Sequence, residues 1–397
     1  MAMRNKKSIL FVGHCYYNHY YLSRELRKLG WRADVLNIDL DPSSEMYYQG
    51  SDYIIHKGVI GFFMNLLFFI KSLFRYQIFH FANAEGMYFP PFNRIPKFYS
   101  IFGQYSEVAF LKKLGKRIFY TNNGCRDGVL QSTFNKWGPY PVCDICPWQS
   151  RPDVCSDEKN MKWGELRNKF ADFIGILGSN RADYNTAKNV HEAPWIYCLD
   201  KNLWDPNLLI PSNYLLPFDI KTVKIFHSVG NYDNRSHGDK KRTIKSTEIW
   251  VDIITRLKNE GLNVEMIFFK DVPSVNIKYY QAQADIFVDM LTFGFFGANI
   301  REAMMLGKPA ICFLRPEWLT DMSKEIPDYV SELPVISATP ETAYFVLKDL
   351  VLDSVKRQEI GVRMREFGLK WHASDLAAHH ANKIYSNSLA VSRKDFM

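Results

Sequence analysis

The segment GFFGANIREAMMLGKPAI, Gly294 to Ile311, sets two glycines, an asparagine and one carboxylate where an apolar strand turns into a helix. Gly294 and Gly297 let the backbone approach a ligand, and a helix beginning near Ala298 aims unpaired N–H groups and its positive dipole end at the same place. Such an arrangement holds phosphate without any side-chain charge. Asn299 lies in the same turn, and Glu302 is suited to accept hydrogen bonds from vicinal hydroxyls such as those of a ribose. The structural alternative is equally legible: Asn299-x-x-Glu302 also reads as a capping box, and Gly307 as an ordinary helix stop.

A second group is chemical in a different way. Four of the seven cysteines, Cys125, Cys143, Cys146 and Cys155, fall in one stretch. Cys143-Asp-Ile-Cys146 has the knuckle spacing of zinc sites, and four thiolates would close a tetrahedral structural centre. The insert GPYPVCDICPWQSRPDVC has little core of its own, which gives a metal something to stabilise. Unbound thiols and a disulfide are the alternatives, the disulfide being disfavoured in a reducing compartment. His14 follows Gly13 at the end of the first apolar run, where its side chain is expected to face a cleft, bind phosphate or transfer a proton. His19 is a second candidate, for the acceptor side, against the reading of this Tyr/His-rich loop as a wet aromatic surface.

The run ADIFVD followed by GFFGANIREAMMLGKPAI resembles the C-terminal signature of GT-B glycosyltransferases, especially the family 4 type. That resemblance extends more weakly along nearly the whole chain. Phe226–Ser228 with Asn234-Arg235 and Lys245-Ser246-Thr247 is similar to the family's strand, arginine and K-G-T phosphate-binding stretch. Arg126 and Asp127 in TNNGCRDG are similar to a cleft-facing H-G-S-D-x-R loop, and Trp195–Trp204 to the end of the family's N-terminal domain. The resemblance implies transfer of a sugar from a nucleotide-sugar donor to a glycan or lipid-linked acceptor, with retained anomeric configuration, in bacterial surface polysaccharide or glycoconjugate synthesis. Gly13, Arg235, Lys245, Gly294, Gly297, Ala298, Asn299 and Glu302 are then donor-binding. His14, Asn123 and Asp127 are catalytic, and His19 and Arg126 face the acceptor.

Two positions depart from the family. Of its two glutamates, the one nearest the transferred sugar is Gly294 here, and a histidine of the N-terminal loop is Asn123. A non-catalytic nucleotide- or glycan-binding relative and a nucleotide-sugar epimerase are therefore the other readings. Charge builds on the leaving diphosphate during glycosyl transfer, so cations and N–H dipoles must meet it. Arg235 offers a bidentate fork and Lys245 a point charge. Their segment is strongly polar, so Arg235 also reads as a solvated loop residue, and Lys240, Lys241 and Arg242 compete with Lys245. No Asp-x-Asp pair is placed to hold a divalent ion, and catalysis without a metal is expected.

These groups need rigid elements behind them. Ser8–Val12 is a continuous apolar run, Tyr21–Leu29 has helical spacing, and Ala33–Ile38 is the next strand. The alternation continues with Gln77–Phe81, Glu107–Leu114, Arg117–Thr121 and Phe173–Leu177, arguing for a parallel sheet with helices on both faces. After a proline-bearing break, a second alternation runs through Lys224–Ser228, Thr247–Asn259, Asn263–Phe269, Ile286–Met290 and Ala310–Phe313. The expected α/β architecture is two Rossmann-like domains facing a cleft. Residues 1–205 form the first, with a Cys-rich insert at 122–160. A linker at 206–218 leads to the second at 219–372, and a C-terminal helix within 373–397 crosses back.

The 397 residues exceed one domain's usual size, and 47% apolar with 23% charged residues is a globular composition. The formal charge of +8 suggests anionic partners. No dense basic stripe with interleaved aromatics is present, so nucleic acid is not expected. Ile9–Gly13 is too short for a signal-peptide core, and a cytoplasmic location is expected. Val59–Phe74 is apolar around most of its circumference, which favours a core helix; the other reading is an in-plane helix on an anionic membrane carrying a lipid-linked acceptor.

Overall fold

Charge-free apolar runs build the centre of the first sheet. β1 (Ser8–Val12) is buried at every residue, as a strand covered on both faces by helices must be. The computed structural model describes residues 7–14, 16–39, 50–82, 106–122, 124–125, 129–146, 149–178, 181–230, 236–237, 242–270 and 272–390. After β1 come α1 (Asn18–Lys28), β2 (Arg32–Asn37), β3 (Tyr53–Ile54), α2 (Gly58–Arg75) and β4 (Ile78–Phe81). Then follow α3 (Ser106–Lys113), β5 (Arg117–Thr121), α4 (Gln131–Phe134), α5 (Asp157–Phe170), β6 (Phe173–Ile176) and β7 (Val190–Glu192). The seven strands pair in parallel in the order β3-β2-β1-β4-β5-β6-β7. The chain winds outward from β1 and then crosses to β4, which opens a crevice beyond the carboxyl ends of those two strands.

The second half repeats the scheme. β8 (Val223–Val229) leads through a hairpin, β9 (Ser236–His237) and β10 (Arg242–Thr243), to α6 (Thr247–Asn259), β11 (Val264–Lys270), α7 (Ser274–Ala282) and β12 (Ile286–Val288). α8 (Ala298–Met305), β13 (Ala310–Cys312), α9 (Pro316–Glu325), α10 (Pro327–Glu332) and β14 (Ile336–Ser337) follow. α11 (Ala343–Leu352), α12 (Ser354–His372) and α13 (Ser374–Ala390) complete the chain. This sheet is also parallel, ordered β11-β8-β12-β13-β14, with its switch between β8 and β12.

α13 returns to the first sheet. Its Asn382 accepts from Lys7 Nζ and Trp31 Nε1, and its Tyr385 hydroxyl meets His80 Nδ1 at 2.6 Å. Trp204, at the edge of the stretch read as a linker, is fully buried. Its ring lies 5.1 Å from that of Tyr17, and its Nε1 donates to Gln281 Oε1. The tryptophan therefore knits the two sheets together where the chain crosses between them.

One expectation holds only in part. α2 packs one face on the core, with Phe69 buried and Phe62, Leu66, Phe68 and Leu73 half-buried against it, while Val59, Ile60, Phe63, Met64, Leu67, Ile70 and Phe74 are exposed. Asn65 bonds both the N–H and the carbonyl of His56, which ties the helix to the segment that leads into it.

Candidate functional site

The opening segment forms α8, and its reading as a capping box does not hold. Gly297 is the residue before the helix, and no side chain caps it. Asn299 does not act as the cap; it exchanges hydrogen bonds with the Ser228 hydroxyl and carbonyl at the end of β8. The first N–H groups of α8 thus lack intrahelical partners, and the residues that carry them border the space between the sheets. That space is a cavity of about 350 Å³, in the size range of small-molecule sites. Its walls come from the carboxyl ends of both sheets: Tyr17, Asn122 and Gly178 on one side, Val229, Gly230 and Met290 on the other.

Gly297, Ala298, Asn299 and Glu302 all line this cavity. Glu302 is almost fully buried. The Tyr17 hydroxyl donates to its Oε1 and Gln281 Nε2 to its Oε2, a bond from each half of the molecule. Burial raises the pKa of this carboxyl, against the lowering effect of those two donors. Each carboxylate oxygen accepts more than one hydrogen bond, so capacity for a ligand hydroxyl remains.

Lys245 also lines the cavity, and its Nζ lies 2.8 Å from Asp289 Oδ1 at the end of β12. An alanine Cβ at position 297 would stand 3.5 Å from that ammonium, which places the charge against the start of α8. Ser246 directs the lysine there. It adopts a left-handed φ of 60°, and its hydroxyl accepts from the Leu291 N–H. Asp289 is itself fixed, its carbonyl accepting from Trp250 Nε1 at 2.7 Å. Asp289 ends the run ADIFVD, but an acid ending a strand is common and does not by itself mark a partner for Lys245.

Arg301 is a further cation that the sequence reading passed over. It lines the cavity, is nearly buried, lies over the Tyr197 ring, and leaves its Nε without a hydrogen-bond partner. Among the described lining residues, Lys245 and Arg301 are the cations and Glu302 the carboxylate. Its position next to Glu302 in the motif was the available signal.

Several expected residues stand elsewhere. Gly294 is absent from the described cavity wall. Its φ is +96°, its carbonyl accepts from the Arg315 N–H, and a Cβ there would meet Arg315 Cβ at 3.3 Å. The missing glutamate is therefore matched by a backbone conformation that disfavours any side chain. His19 is a core residue, not an acceptor group: its Nδ1 faces the Gly13 carbonyl, and burial pushes its pKa down to about 3. His14 is buried beside Asn37 with its pKa lowered to about 4, again by burial, and neither it nor Gly13 is among the described residues lining the cavity. Both histidines were expected to face the cleft because they follow a strand end. They instead fill space beneath the loop. Asn123, Arg126, Asp127 and Arg235, like the competitors Lys240 and Lys241, lie outside the described residues.

Asn122, at the end of the described run before them, is held from below. Asn122 Oδ1 accepts from Arg167, a fully buried guanidinium that also bonds Asn185 Oδ1, and the Asn122 carbonyl accepts from the Tyr197 hydroxyl. The Cys-rich insert supplies the adjacent wall through Cys125, Val129, Phe134 and Trp137. Phe134 packs edge-on against Phe293 of the second half, 4.8 Å between centroids. Gly178 lies so close to Phe295 that any Cβ would overlap the ring.

Cys125, Cys146 and Cys155 are near enough to Cys143 that, after burial, their charges help push its thiol up to about 12. All four cysteines are free thiols. Among the described residues no three His, Cys, Asp or Glu side chains are disposed to hold a metal ion.

No protein-family profile matches the chain, and no curated protein matches it in sequence. Solved structures do. Sucrose-phosphate synthase from Thermosynechococcus elongatus has a TM-score of 0.58 at 12% identity, covering 98% of this chain and 100% of its own. The Anabaena protein HepE in complex with UDP has a TM-score of 0.57 at 11% identity, covering 96% and 100%. The catalytic domain of starch synthase IV from Arabidopsis thaliana, bound to ADP and acarbose, has a TM-score of 0.53 at 10% identity, covering 97% and 100%. The fold is the GT-B arrangement of two Rossmann-like halves that the resemblance implied.

Proposed function

We propose that this chain is a glycosyltransferase that moves a sugar from a nucleoside diphosphate sugar to a hydroxyl of a glycan or lipid-linked acceptor. One observation carries the reading: the uncapped start of α8 and the Lys245 ammonium share one wall of an intersheet cavity that also contains Glu302. In the reaction the anomeric C–O bond to the diphosphate breaks and a new one forms to the acceptor oxygen. The acceptor proton is released and the nucleoside diphosphate departs. The α8 amides, Lys245 and Arg301 would meet the charge growing on the diphosphate, and Glu302 the ribose hydroxyls. A divalent ion is not required for that stabilisation. Asp127 and Asn123 are proposed on the acceptor side, with Arg126 beside them and Arg235 as a further donor cation. UDP in HepE and ADP in starch synthase IV support a nucleotide in this position. Retained configuration and a role in bacterial surface glycans follow from the resemblance and belong to the proposal.

The test is thermal denaturation with UDP-, GDP-, ADP- and CMP-sugars, followed by assay of nucleotide release with candidate acceptors. A ligand present at a hundred times its Kd stabilises by roughly 2.7 kcal/mol. The account expects one base class to raise the melting temperature and Lys245→Met to remove most of that shift. Binding without nucleotide release on any acceptor would favour the non-catalytic relative, for which Gly294 is the supporting feature. Epimerisation is less favoured, because Glu302 stands without a second carboxylate among the described lining residues.

A structural zinc on Cys125, Cys143, Cys146 and Cys155 is proposed from their spacing in the sequence; as they stand the side chains do not enclose a metal ion, so binding would draw them together. Zinc would displace the proton that burial, and then the neighbouring thiols, hold on Cys143. Protein purified without added metal is expected to contain near-stoichiometric zinc. A ratio near zero with four alkylatable thiols would end the proposal.

A further inference from the structure

The outer face of α2 has no counterpart in the chemistry described above. An amphipathic helix normally needs only one apolar stripe; here Phe62, Leu66, Phe68, Phe69 and Leu73 pack inward against the core, and a second apolar stripe faces out. The opposite stripe, at helical spacing, is Ile60, Phe63, Met64, Leu67, Ile70 and Phe74, with Ile60 77% and Phe74 88% exposed. Ile54, also exposed, precedes it on the edge strand β3. A monomeric soluble protein seldom leaves so many large apolar side chains in one row, and such rows mark an interaction surface.

Charge narrows the occupant. The helix GVIGFFMNLLFFIKSLFR contains no acidic residue. Exposed Lys57 precedes it, exposed Lys71 rises within the apolar stripe, and Arg75 ends it. Arg75 is partly engaged with Asp34 at 3.4 Å, while Lys57 and Lys71 form no ion pair among the described residues. Lysine stems extend along apolar surface while their ammonium groups reach the phosphate level of a bilayer.

By length and composition the helix matches a membrane span. Its packing argues otherwise: Phe62, Leu66, Phe69 and Leu73, spread over three turns, rest on the core of the first sheet. The helix is therefore held along its length against the protein, its long axis lying along whatever its outer face touches.

We propose that α2 is a membrane-docking helix, lying in the plane of an anionic bilayer with Phe63, Leu67 and Phe74 inserted and Lys57 and Lys71 at the headgroups. This is the arrangement of in-plane amphipathic helices. It does not rest on the glycosyl-transfer reading, since it uses no residue of the cavity.

Co-sedimentation of the full chain with phosphatidylcholine vesicles, with and without phosphatidylglycerol, tests it. The wild-type protein is expected to sediment with the anionic vesicles and much less with the neutral ones. Phe63→Ser combined with Phe74→Ser should weaken that binding roughly a hundredfold. Lys71→Gln should weaken it about fivefold, and only on anionic vesicles. Because these side chains are exposed, the melting temperature of each variant should match wild type, which separates lost docking from lost folding. Absence of wild-type binding, or binding indifferent to the phenylalanine substitutions, overturns the proposal. So does a wild-type dimer in solution that those substitutions split, because the occupant would then be a second copy.

Discussion

Glu302 shows how little a residue's type says without its partners. In the sequence it was a capping glutamate or a ribose ligand; in the fold it caps nothing and joins Tyr17 to Gln281 across the two halves. Gly294 is the converse case, a residue whose absence of side chain is demanded by the backbone. Gly294→Ala is expected to lower unfolding free energy by about 1–2 kcal/mol, the cost of a left-handed residue with a Cβ, measurable by urea denaturation. An unchanged midpoint would show that this loop relaxes at no cost. The motif from Gly297 to Glu302 was readable because glycine, helix start and carboxylate each have a local meaning. Arg301 and Asp289 were not, because their roles depend on Tyr197 and Lys245, distant in sequence.

At the level of elements, strand cores were legible and their seating was not. β1, β5 and α6 coincide with their apolar runs, since continuous apolar residues between turn formers permit little else. β3, at two residues, and β7, at three, are too short for periodicity to mark them. α2 matches its core reading on one face only, because composition does not say how much of a helix's circumference its neighbours will cover. Buried histidines seat several elements: His80 on α13, His227 on the start of α6, and His372 at the end of α12 between Tyr197 and Tyr329.

Burial lowers the pKa of His14 and His227 to about 4, of His19 and His372 to about 3, and of His80 well below its usual value. Folded pKa values below the unfolded one mean that the folded state resists protonation. Stability is then complete above about pH 6.5 and is lost as pH falls from there toward 4. Glu192, raised to about 8 by burial, acts in the opposite direction and offsets roughly one histidine. The melting temperature should fall steeply between pH 7 and pH 5. A flat profile over that range would mean the histidines open to water at little cost.

The whole molecule brings two crevices face to face. Each sheet alone ends in the switch point common to open parallel sheets, and only their opposition, locked by Trp204 and α13, encloses the cavity. That opposition was foreseeable from the repeated alternation of strands and helices, whereas the insert's contribution of Phe134 and Trp137 to one wall was not, because nothing in its cysteine spacing says where it folds. The central claim is that a diphosphate rests between the start of α8 and Lys245. The direct measurement is a crystal structure with the nucleotide selected by thermal denaturation. The account predicts diphosphate oxygens within hydrogen-bond reach of Lys245 Nζ and the Ala298 and Asn299 amides, with the ribose at Glu302. Nucleotide density elsewhere on the molecule, with those amides facing only solvent or protein, would contradict it.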